Sequence, residues 1–214
     1  MKITQLSSQV RNPDRINVFI DGKFRFSLDI SQITDLNIKL GRELDDQELL
    51  ELENESQFGK LYSRSLEYCL IRPRSVSEVR DYLYRKTLAN RYKDKKGQIR
   101  EKQGYSPILL PRVIEKLQQR SYLDDRKFAI WWVENRFQRK GISARKLSIE
   151  LRAKGIDSVE IEEILRESGR EDYDELRKMI TKKQQRYTDP QKLIAYLVRQ
   201  GFGYDDIKAA LSED

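Results

Sequence analysis

Side chains that commonly perform catalysis are scarce in this sequence. The 214 residues include no histidine and a single cysteine, Cys69. The commonest general base and metal ligand is therefore missing, and the usual tetrahedral zinc ligand sets cannot be assembled. The chain also lacks the two glycine-rich loops that cradle nucleotide phosphates, Gly-x-x-x-x-Gly-Lys-Ser/Thr and Gly-x-Gly-x-x-Gly after a strand. We therefore expect neither a cofactor nor catalytic activity.

Adjacent carboxylates are the remaining candidates for metal chemistry. Three pairs occur, Asp45-Asp46, Asp124-Asp125 and Asp205-Asp206. Each pair stands at the start of a predicted helix, where an aspartate caps free N–H groups and opposes the helix dipole. Neighbouring helical residues point about 100° apart, so a pair does not converge on one ion. We interpret the pairs as helix caps, with a metal-dependent nuclease as the weaker alternative.

Positive charge is the most suggestive chemical feature of the chain. Residues 1–58 hold 7 of the 42 basic and 11 of the 35 acidic residues, which leaves 35 basic and 24 acidic residues for residues 59–214. The N-terminal part is therefore acidic and the remainder carries +11. A basic segment beside an acidic one favours a polyanion or an acidic protein surface as the partner.

The first basic group lies between residues 85 and 102, where eight basic residues face two acidic ones. Gly97 and Gly104 indicate a mobile loop or a loosely held helical extension. Three interpretations stay open: a solvated surface loop, a flexible arm that neutralises phosphates, or a contact with an acidic protein surface. The residues expected to touch phosphates are Arg91, Lys93, Lys95 and Lys96.

Two further basic groups occupy matching positions in the C-terminal half. Stacked repeats bring equivalent positions to one side, so two local groups become one surface. We expect that surface to contact the partner through Arg136, Arg139, Lys140, Arg145, Lys146 and Arg152, together with Lys182, Lys183 and Arg186.

The elements that position these charges follow from an apolar repeat. Apolar residues stand four and eight positions after Ser143 and after Asp189, which are 46 residues apart. The same spacing follows Ser75, 68 residues before Ser143, and most of the excess length falls in the charged segment 87–108. All three residues are suited to helix N-capping. Periods of 20–50 residues are typical of units that bury their apolar faces against neighbours.

The predicted fold is mainly α: a tandem array of three three-helix repeats that follows a small N-terminal β-hairpin/α unit. The predicted bounds are 1–57 for the N-terminal unit, 58–123 for repeat 1 with its insertion at 87–108, 124–168 for repeat 2, and 169–214 for repeat 3.

Local signals describe the N-terminal half in more detail. Two strand-like runs flank Asp21-Gly22, the preferred pair for a two-residue type I′ hairpin, and residues 2–10 would add a third strand. Separate helices are predicted over 29–37 and 45–55, and repeat 1 begins near Phe58. Within that repeat, Ser75 and Glu78 form a capping-box pair.

The positions of the aromatic residues around the helix predict which of them fill the interior of repeat 2. Trp132 is in phase with Phe128 and Val133, so we expect Trp132 in the core and Trp131 at the rim or against a partner. Cys69 is expected to be a buried thiol.

Compartment is suggested by what the sequence lacks. The segment MKITQLSSQV has no apolar signal-peptide region. The longest apolar run, Phe128–Val133, has six residues, against roughly 20 for a membrane span. One cysteine excludes an intrachain disulfide, which suits a reducing cytosol. We expect a cytoplasmic monomer without membrane contact.

One segment carries a recognisable motif. Residues 120–136, RSYLDDRKFAIWWVENR, resemble the RecX family of regulators of the bacterial recombinase RecA. Further parts of the family pattern are resembled by three other segments, 70–79, Gly141-Ile142 and 151–156. The resemblance covers roughly residues 58–214, although Ser121 stands where many members have glycine and the insertion is long for the family. The motif residues are Tyr122, Leu123, Asp124, Asp125, Phe128, Ala129, Trp132, Val133 and Arg136.

The resemblance implies a helical array that lies in the groove of the RecA–DNA filament. There it would modulate, and usually inhibit, strand exchange and ATP hydrolysis by RecA, with no catalysis of its own. Arg72 and Arg74 then join the expected contacts to RecA or to single- or double-stranded DNA. The alternative is a helix-turn-helix-type nucleic-acid binder that acts independently of RecA.

Overall fold

The chain folds into two compact units. The computed structural model describes residues 1–10, 12–94 and 96–212. Unit 1 comprises Met1–Ile71 and Arg80–Tyr122, and unit 2 comprises Arg72–Val79 and the chain from Leu123 onward. Helices predominate, which confirms the predicted fold class. The repeat bounds given above stay predictions.

Unit 1 opens with a three-stranded antiparallel sheet. Its strands are β1 (Ile3–Ser8), β2 (Arg15–Ile20) and β3 (Lys23–Asp29), in the order β1-β2-β3. Asp21 and Gly22 join β2 to β3 with φ angles of 48° and 76°, and a type I′ turn requires positive φ at both positions. The predicted hairpin and third strand are confirmed.

Two helices follow the sheet, α1 (Ile30–Asp35) and α2 (Asp46–Ile71). The predicted break between residues 55 and 58 was wrong, because α2 passes through it without interruption. No proline stands between residues 46 and 71, and the one glycine, Gly59, is tolerated in a helix at a cost of about 1 kcal/mol.

Gly59 has a packing role that explains its place in α2. A Cβ atom there would lie 2.5 Å from Gln32 Oε1, so a larger residue would require the Gln32 side chain to shift. The amide of Gln32 in turn donates to the carbonyl of Glu55 at 2.8 Å. Leu49 and Leu52, from the first half of α2, complete the core under the sheet.

The basic insertion forms a β-hairpin. Helix α3 (Val76–Thr87) leads to strands β4 (Asn90–Lys93) and β5 (Ile99–Lys102), and helix α4 (Leu109–Gln119) follows. The predicted mobile loop or helical extension was wrong. All residues of both strands are exposed, so cross-strand hydrogen bonds and the turn define this hairpin rather than a core. Lys95 lies outside the described residues.

The turn and the base of the hairpin have distinct local causes. The Asp94 carboxylate accepts from the N–H groups of Lys96 (2.9 Å) and Gln98 (3.0 Å), the local bonding that makes aspartate a turn residue. At the base, a Cβ atom on Gly104 would lie 1.9 Å from the carbonyl oxygen of Thr87. Only glycine permits this approach of the returning chain to the end of α3.

Unit 2 contains the first turn of α3 and six further helices among the described residues. They are α5 (Asp125–Asn135), α6 (Ala144–Ala153), α7 (Ser158–Glu167), α8 (Asp172–Lys183), α9 (Pro190–Arg199) and α10 (Tyr204–Ser212). Helices α6 and α9 begin 46 residues apart, as do α7 and α10. Ser143 and Asp189 cap α6 and α9 with their side chains, so the predicted capping and period are confirmed.

Each trio in unit 2 has its own apolar core. Buried residues of α6 and α7, such as Leu147 and Ile161, have counterparts 46 positions later in Leu193 and Ile207. Within the described ranges, no helix combines the length and the apolar composition that crossing a membrane requires.

Candidate polyanion-binding groove

A groove in unit 2 collects four of the predicted contact residues. Its cationic members are Lys140, Lys146, Lys182 and Lys183, and its volume is about 270 Å³. Apolar and aromatic side chains line it between the lysines, and no acidic side chain of the described residues does so. We call it the four-lysine groove; its other lining residues are Phe137, Gly141, Ile142, Met179, Tyr196 and Gln200.

The turn before α6 forms one wall of the groove. Gly141 has φ of 76°, and a Cβ atom there would lie 2.1 Å from the carbonyl oxygen of Glu175. The next residue, Ile142, donates its N–H to the Glu175 carboxylate at 3.0 Å. Because α8 supplies both contacts, the end of the α5–α6 connection is held directly against α8.

The end of α9 forms the opposite wall. The hydroxyl of Ser143 donates to the carbonyl of Gln200 at 2.6 Å while it accepts from Lys146 N–H. The ammonium group of Lys146 binds the Gln200 amide oxygen. The capping residue of α6 therefore also fixes the last turn of α9.

Aromatic rings give the groove an apolar floor beside its charges. Tyr196 stacks on Tyr187 at 5.2 Å between ring centroids, and Lys183 Nζ lies 5.5 Å from the Tyr196 ring. Lys140 Nζ lies 5.6 Å from the Phe137 ring. Burial, together with the neighbouring Tyr187, raises the pKa of Tyr196, so its hydroxyl stays protonated and can donate. The groove therefore suits a ligand that is both anionic and partly planar or apolar.

Basic charge continues beside the groove. Lys182 also lines a neighbouring depression, in which Arg139, Arg177 and Lys178 accompany it together with one acidic residue, Asp174. Arg145, Arg152 and Arg186 are exposed outside both surfaces. These three residues stay predicted contacts.

Trp132 lies at the edge of the repeat 2 core rather than inside it. The prediction that it is buried was wrong, because it is half-buried while Phe128 and Val133 fill the interior with no exposed surface. Its indole N–H donates to the half-buried Glu150 at 3.1 Å, so the polar edge of the ring is satisfied at the margin of the core. Trp131, predicted at the rim, is also half-buried.

Arg136 is engaged in an internal ion pair. Its Nε and Nη2 atoms donate to the two oxygens of Glu150 at 2.8 and 2.9 Å. The guanidinium also lies 4.9 Å from the Trp132 ring and 3.9 Å from the Phe137 ring. A bidentate pair that stacks on aromatic rings positions the arginine within unit 2.

Arg72 and Arg74 surround a buried carboxylate. Both Nη atoms of Arg72 donate to Glu78 at 3.0 Å, Lys154 Nζ donates at 2.6 Å, and Arg74 lies 4.0 Å away. Burial opposes ionisation of Glu78, but the hydrogen bonds from Arg72 and Lys154 prevail and lower its pKa. The capping role predicted for the Glu78 side chain is thereby replaced, although Ser75 still accepts from the Glu78 N–H.

The predicted hairpin contacts are exposed. Arg91 forms an ion pair with Glu101 at 3.4 Å, and Lys93 and Lys96 are open to solvent. Pairs between solvent-exposed side chains contribute little stability. The charge of this hairpin face is therefore partly balanced by its own carboxylate.

Aspartate pairs at helix starts act as caps in two of the three cases. Asp45 accepts from the N–H of Glu48 at 2.8 Å. Asp124 accepts from Lys127 N–H at 3.0 Å, whereas Asp125 accepts from Val76 N–H at 2.8 Å. The two carboxylates of that pair thus serve different elements. The part of the chain that is described shows no metal-binding cluster of three or more acidic or cysteine side chains.

Sequence reasoning missed two sets of residues near these surfaces. The aromatic floor of the groove, Phe137 and Tyr196, was treated as ordinary helix sequence. Arg170 was also missed: it donates to Glu175 at 2.6 Å and to the carbonyl of Arg136 at 2.9 Å. A signal for Arg170 was available in the sequence. Glu175 occupies a position at which the preceding repeat has the core residue Ala129, and a carboxylate at a core position needs a cationic partner.

Comparison with known proteins gives this architecture a family. The model described as the regulatory protein RecX N-terminal domain matches residues 1–45, and the RecX second three-helix domain matches residues 124–165. The regulatory protein RecX of Bacillus subtilis strain 168 is 32% identical over 218 residues, which cover 99% of this chain and 76% of that protein. This chain belongs to the RecX family of regulatory proteins. The RecX protein of Listeria monocytogenes EGD-e is 27% identical, with 100% and 76% covered.

Solved RecX structures share the fold. One crystal structure of regulatory protein RecX has a TM-score of 0.72 at 23% identity and covers 99% of this chain and 98% of its own. RecX from Lactobacillus salivarius has a TM-score of 0.53 at 22% identity, with 73% and 96% covered. The match to residues 1–45 shows that the RecX likeness extends to the N-terminal sheet, beyond the region in which motifs were recognised.

Proposed function

We propose that this RecX protein binds the RecA–DNA filament and inhibits the recombinase and ATPase activities of RecA, without catalysis of its own. The observation that carries the proposal is the four-lysine groove in a chain of this family. Its lysines come from two successive repeats, so it can follow an extended anionic surface rather than one isolated ion. A filament offers such surfaces in DNA phosphates and in acidic protein side chains.

The charges of the groove are well placed for this role. Lys140 and Lys182 are exposed, and no ion pair to either is formed by residues 1–10, 12–94 or 96–212. Arg72 and Arg136, by contrast, are held by Glu78 and Glu150. We therefore assign the lysines to the partner and the two arginines to positioning of the surrounding helices.

The test is RecA ATPase activity on single-stranded DNA with increasing concentrations of this protein. The wild-type protein should inhibit at less than one molecule per RecA. The variant Lys140→Glu/Lys182→Glu should need a concentration about tenfold higher or more, which corresponds to about 1.4 kcal/mol of lost binding. The matched control is Lys127→Glu/Lys208→Glu, the same charge change on exposed lysines of α5 and α10.

Two outcomes would contradict the proposal. Equal inhibition by the groove variant and the control would show that another surface contacts the filament. Binding to bare DNA with no effect on RecA would favour the helix-turn-helix-type nucleic-acid binder. We also propose that the protein acts in the cytoplasm and that it is a monomer; sedimentation of the free protein tests the second point.

A further inference from the structure

A second basic concavity lies in unit 1, at the base of the β4–β5 hairpin. Its volume is about 390 Å³, and no lining residue is acidic. We call it the hairpin pocket and define it by Arg64, Arg85, Lys86, Lys102 and Tyr105. None of these five residues is among the four singled out in the sequence as phosphate contacts, although Arg85, Lys86 and Lys102 belong to the basic group between residues 85 and 102. All five lie outside unit 2.

Positive charge in the hairpin pocket is not balanced by neighbouring carboxylates. Burial and the positive charges of Arg15, Lys102 and Arg64 lower the pKa of Lys60, one helical turn before Arg64 on α2. Among the residues that the structure describes, no carboxylate forms an ion pair with Arg64, Arg85 or Lys102. All three side chains are exposed, so they can reach an anionic partner and attract it without an existing ion pair to break.

The walls of the pocket are fixed before any ligand binds. Tyr105 donates its N–H to the carbonyl of Lys86 at 3.0 Å, and Gly104 allows the chain to touch the end of α3. Lys86 Nζ lies 4.9 Å from the Tyr82 ring, and the Arg64 guanidinium lies 6.0 Å from the Tyr105 ring. Groups held in place in this way lose less conformational entropy on binding.

The hairpin register extends the pocket along one face. The pairs Asn90↔Lys102 and Tyr92↔Arg100 alternate with Arg91↔Glu101, and successive pairs of a hairpin lie on opposite faces. Tyr92 therefore shares a face with Lys102 of the pocket, and its ring is half exposed. Arg91, which the sequence had favoured as a phosphate contact, lies on the other face beside Glu101.

We propose that the hairpin pocket and the Tyr92 face bind a single strand of nucleic acid. The cations of the pocket contact the phosphates, and Tyr92 stacks on an unpaired base. Aromatic side chains interleaved with cations are the usual platform for single strands, whereas paired bases of a duplex offer no free face to such a ring. The inference does not rest on the proposed function, because this site needs neither RecA nor the four-lysine groove.

The experiment measures binding of full-length protein to fluorescein-labelled dT20 by anisotropy, without RecA, over a range of salt concentrations. Arg85→Gln/Lys102→Gln should weaken binding about tenfold and reduce the salt slope by about 1.4, since each lost single-strand phosphate contact removes about 0.7. Tyr92→Ala should weaken binding about fivefold or more with little change in slope. The control Arg91→Gln/Lys93→Gln removes the same charge from the opposite face and should have a smaller effect.

Three results would overturn the inference. The first is a loss of affinity or of salt slope in the control that equals the loss in the pocket variant. The second is displacement of dT20 by inorganic phosphate or dTMP at concentrations comparable, per phosphate, with unlabelled dT20, because that would indicate a free-phosphate site. The third is binding of a 20-base-pair duplex as tightly as dT20. If the double variant loses its thermal unfolding transition, Lys102→Gln alone, which lies on an exposed strand, provides the same comparison. RecA inhibition by each variant is measured in a separate assay.

Discussion

At the scale of single residues, a buried carboxylate holds together the wall of the four-lysine groove. The side chain of Glu175 is 3% exposed and binds Arg170 at 2.6 Å and Lys178 at 2.7 Å. It also accepts the N–H of Ile142. Burial opposes its ionisation, but these hydrogen bonds prevail and lower its pKa. The charged form is therefore the one that the folded protein stabilises.

Replacement of this carboxylate should destabilise the protein more at neutral pH than in acid. A lowered folded-state pKa contributes stability above about pH 4.3, the ordinary glutamate value, and that contribution is lost as pH falls through the folded-state pKa. We expect Glu175→Gln to reduce the free energy of unfolding by about 3 kcal/mol at pH 7, as when one partner of a buried pair is removed. Urea denaturation at pH 7 and pH 3 measures it. An undiminished difference at pH 3 would contradict the assignment.

Local roles of single residues were predicted better than their long-range partners. Capping by Ser143 and Asp189 follows from local chemistry, because a short polar side chain before a helix reaches the free N–H groups of its own first turn. The pairing of Glu78 with Lys154 joins residues 76 positions apart, and no local pattern encodes it. Trp132 was misplaced for the same reason: helical phase gave its direction, but Glu150 supplied a partner for its N–H at the core edge.

At the scale of elements, glycines determine how closely helices of unit 2 approach one another. Gly201, after α9, has φ of 96°, and a Cβ atom there would lie 2.6 Å from Ser143 Oγ. Gly169 has φ of 63° with no atom within 4 Å of that position. Alanine at either position would suffer the backbone strain of a positive φ. Only at position 201 would its Cβ atom also meet a neighbouring side chain.

This pair separates strain from close approach. We expect Gly169→Ala to reduce the free energy of unfolding by about 1 kcal/mol, the strain of a left-handed residue. Gly201→Ala should reduce it by clearly more, because it also displaces the Ser143 hydroxyl from the Gln200 carbonyl. Chemical denaturation of both variants provides the comparison. Equal losses would mean that the wall of the groove adjusts without penalty.

Elements with a strong local signal were predicted well, and those without one were not. Asp21-Gly22 specifies its hairpin because both residues tolerate positive φ. The β4–β5 hairpin lacks such a pair: its turn depends on Asp94 and Gly97, and its strands bury nothing, so the charged composition concealed it. The unbroken α2 was missed because its two halves pack against different elements. The first half packs under the sheet and α2 also packs against α4, while the backbone stays helical throughout.

At the scale of the whole molecule, the uneven charge makes binding depend on salt. The four-lysine groove and the hairpin pocket both lie in the part of the chain that carries +11. When cations replace the counterions of nucleic acid, released ions make the affinity fall steeply as salt rises.

The proposed filament binding should therefore weaken with salt in proportion to the lysines engaged. For Lys140→Gln/Lys182→Gln we expect the slope of log affinity against log salt to fall by about 1.4, if both lysines meet phosphates of a single strand. Anisotropy of a labelled RecA filament on DNA, at several potassium chloride concentrations, measures the slope. A slope equal to that of Lys127→Gln/Lys208→Gln would place these lysines away from the phosphates.

The contact between Gly104 and the Thr87 carbonyl has a consequence for how this protein can change over time. Since the two ends of the insertion already touch, the path from α3 to α4 is closed whether or not residues 89–103 are present. The connection between α3 and α4 is therefore complete without the hairpin, which extends from it. Changes in the length or sequence of the hairpin should therefore leave the helices on either side as they are, so selection can alter what this arm binds without altering the fold around it.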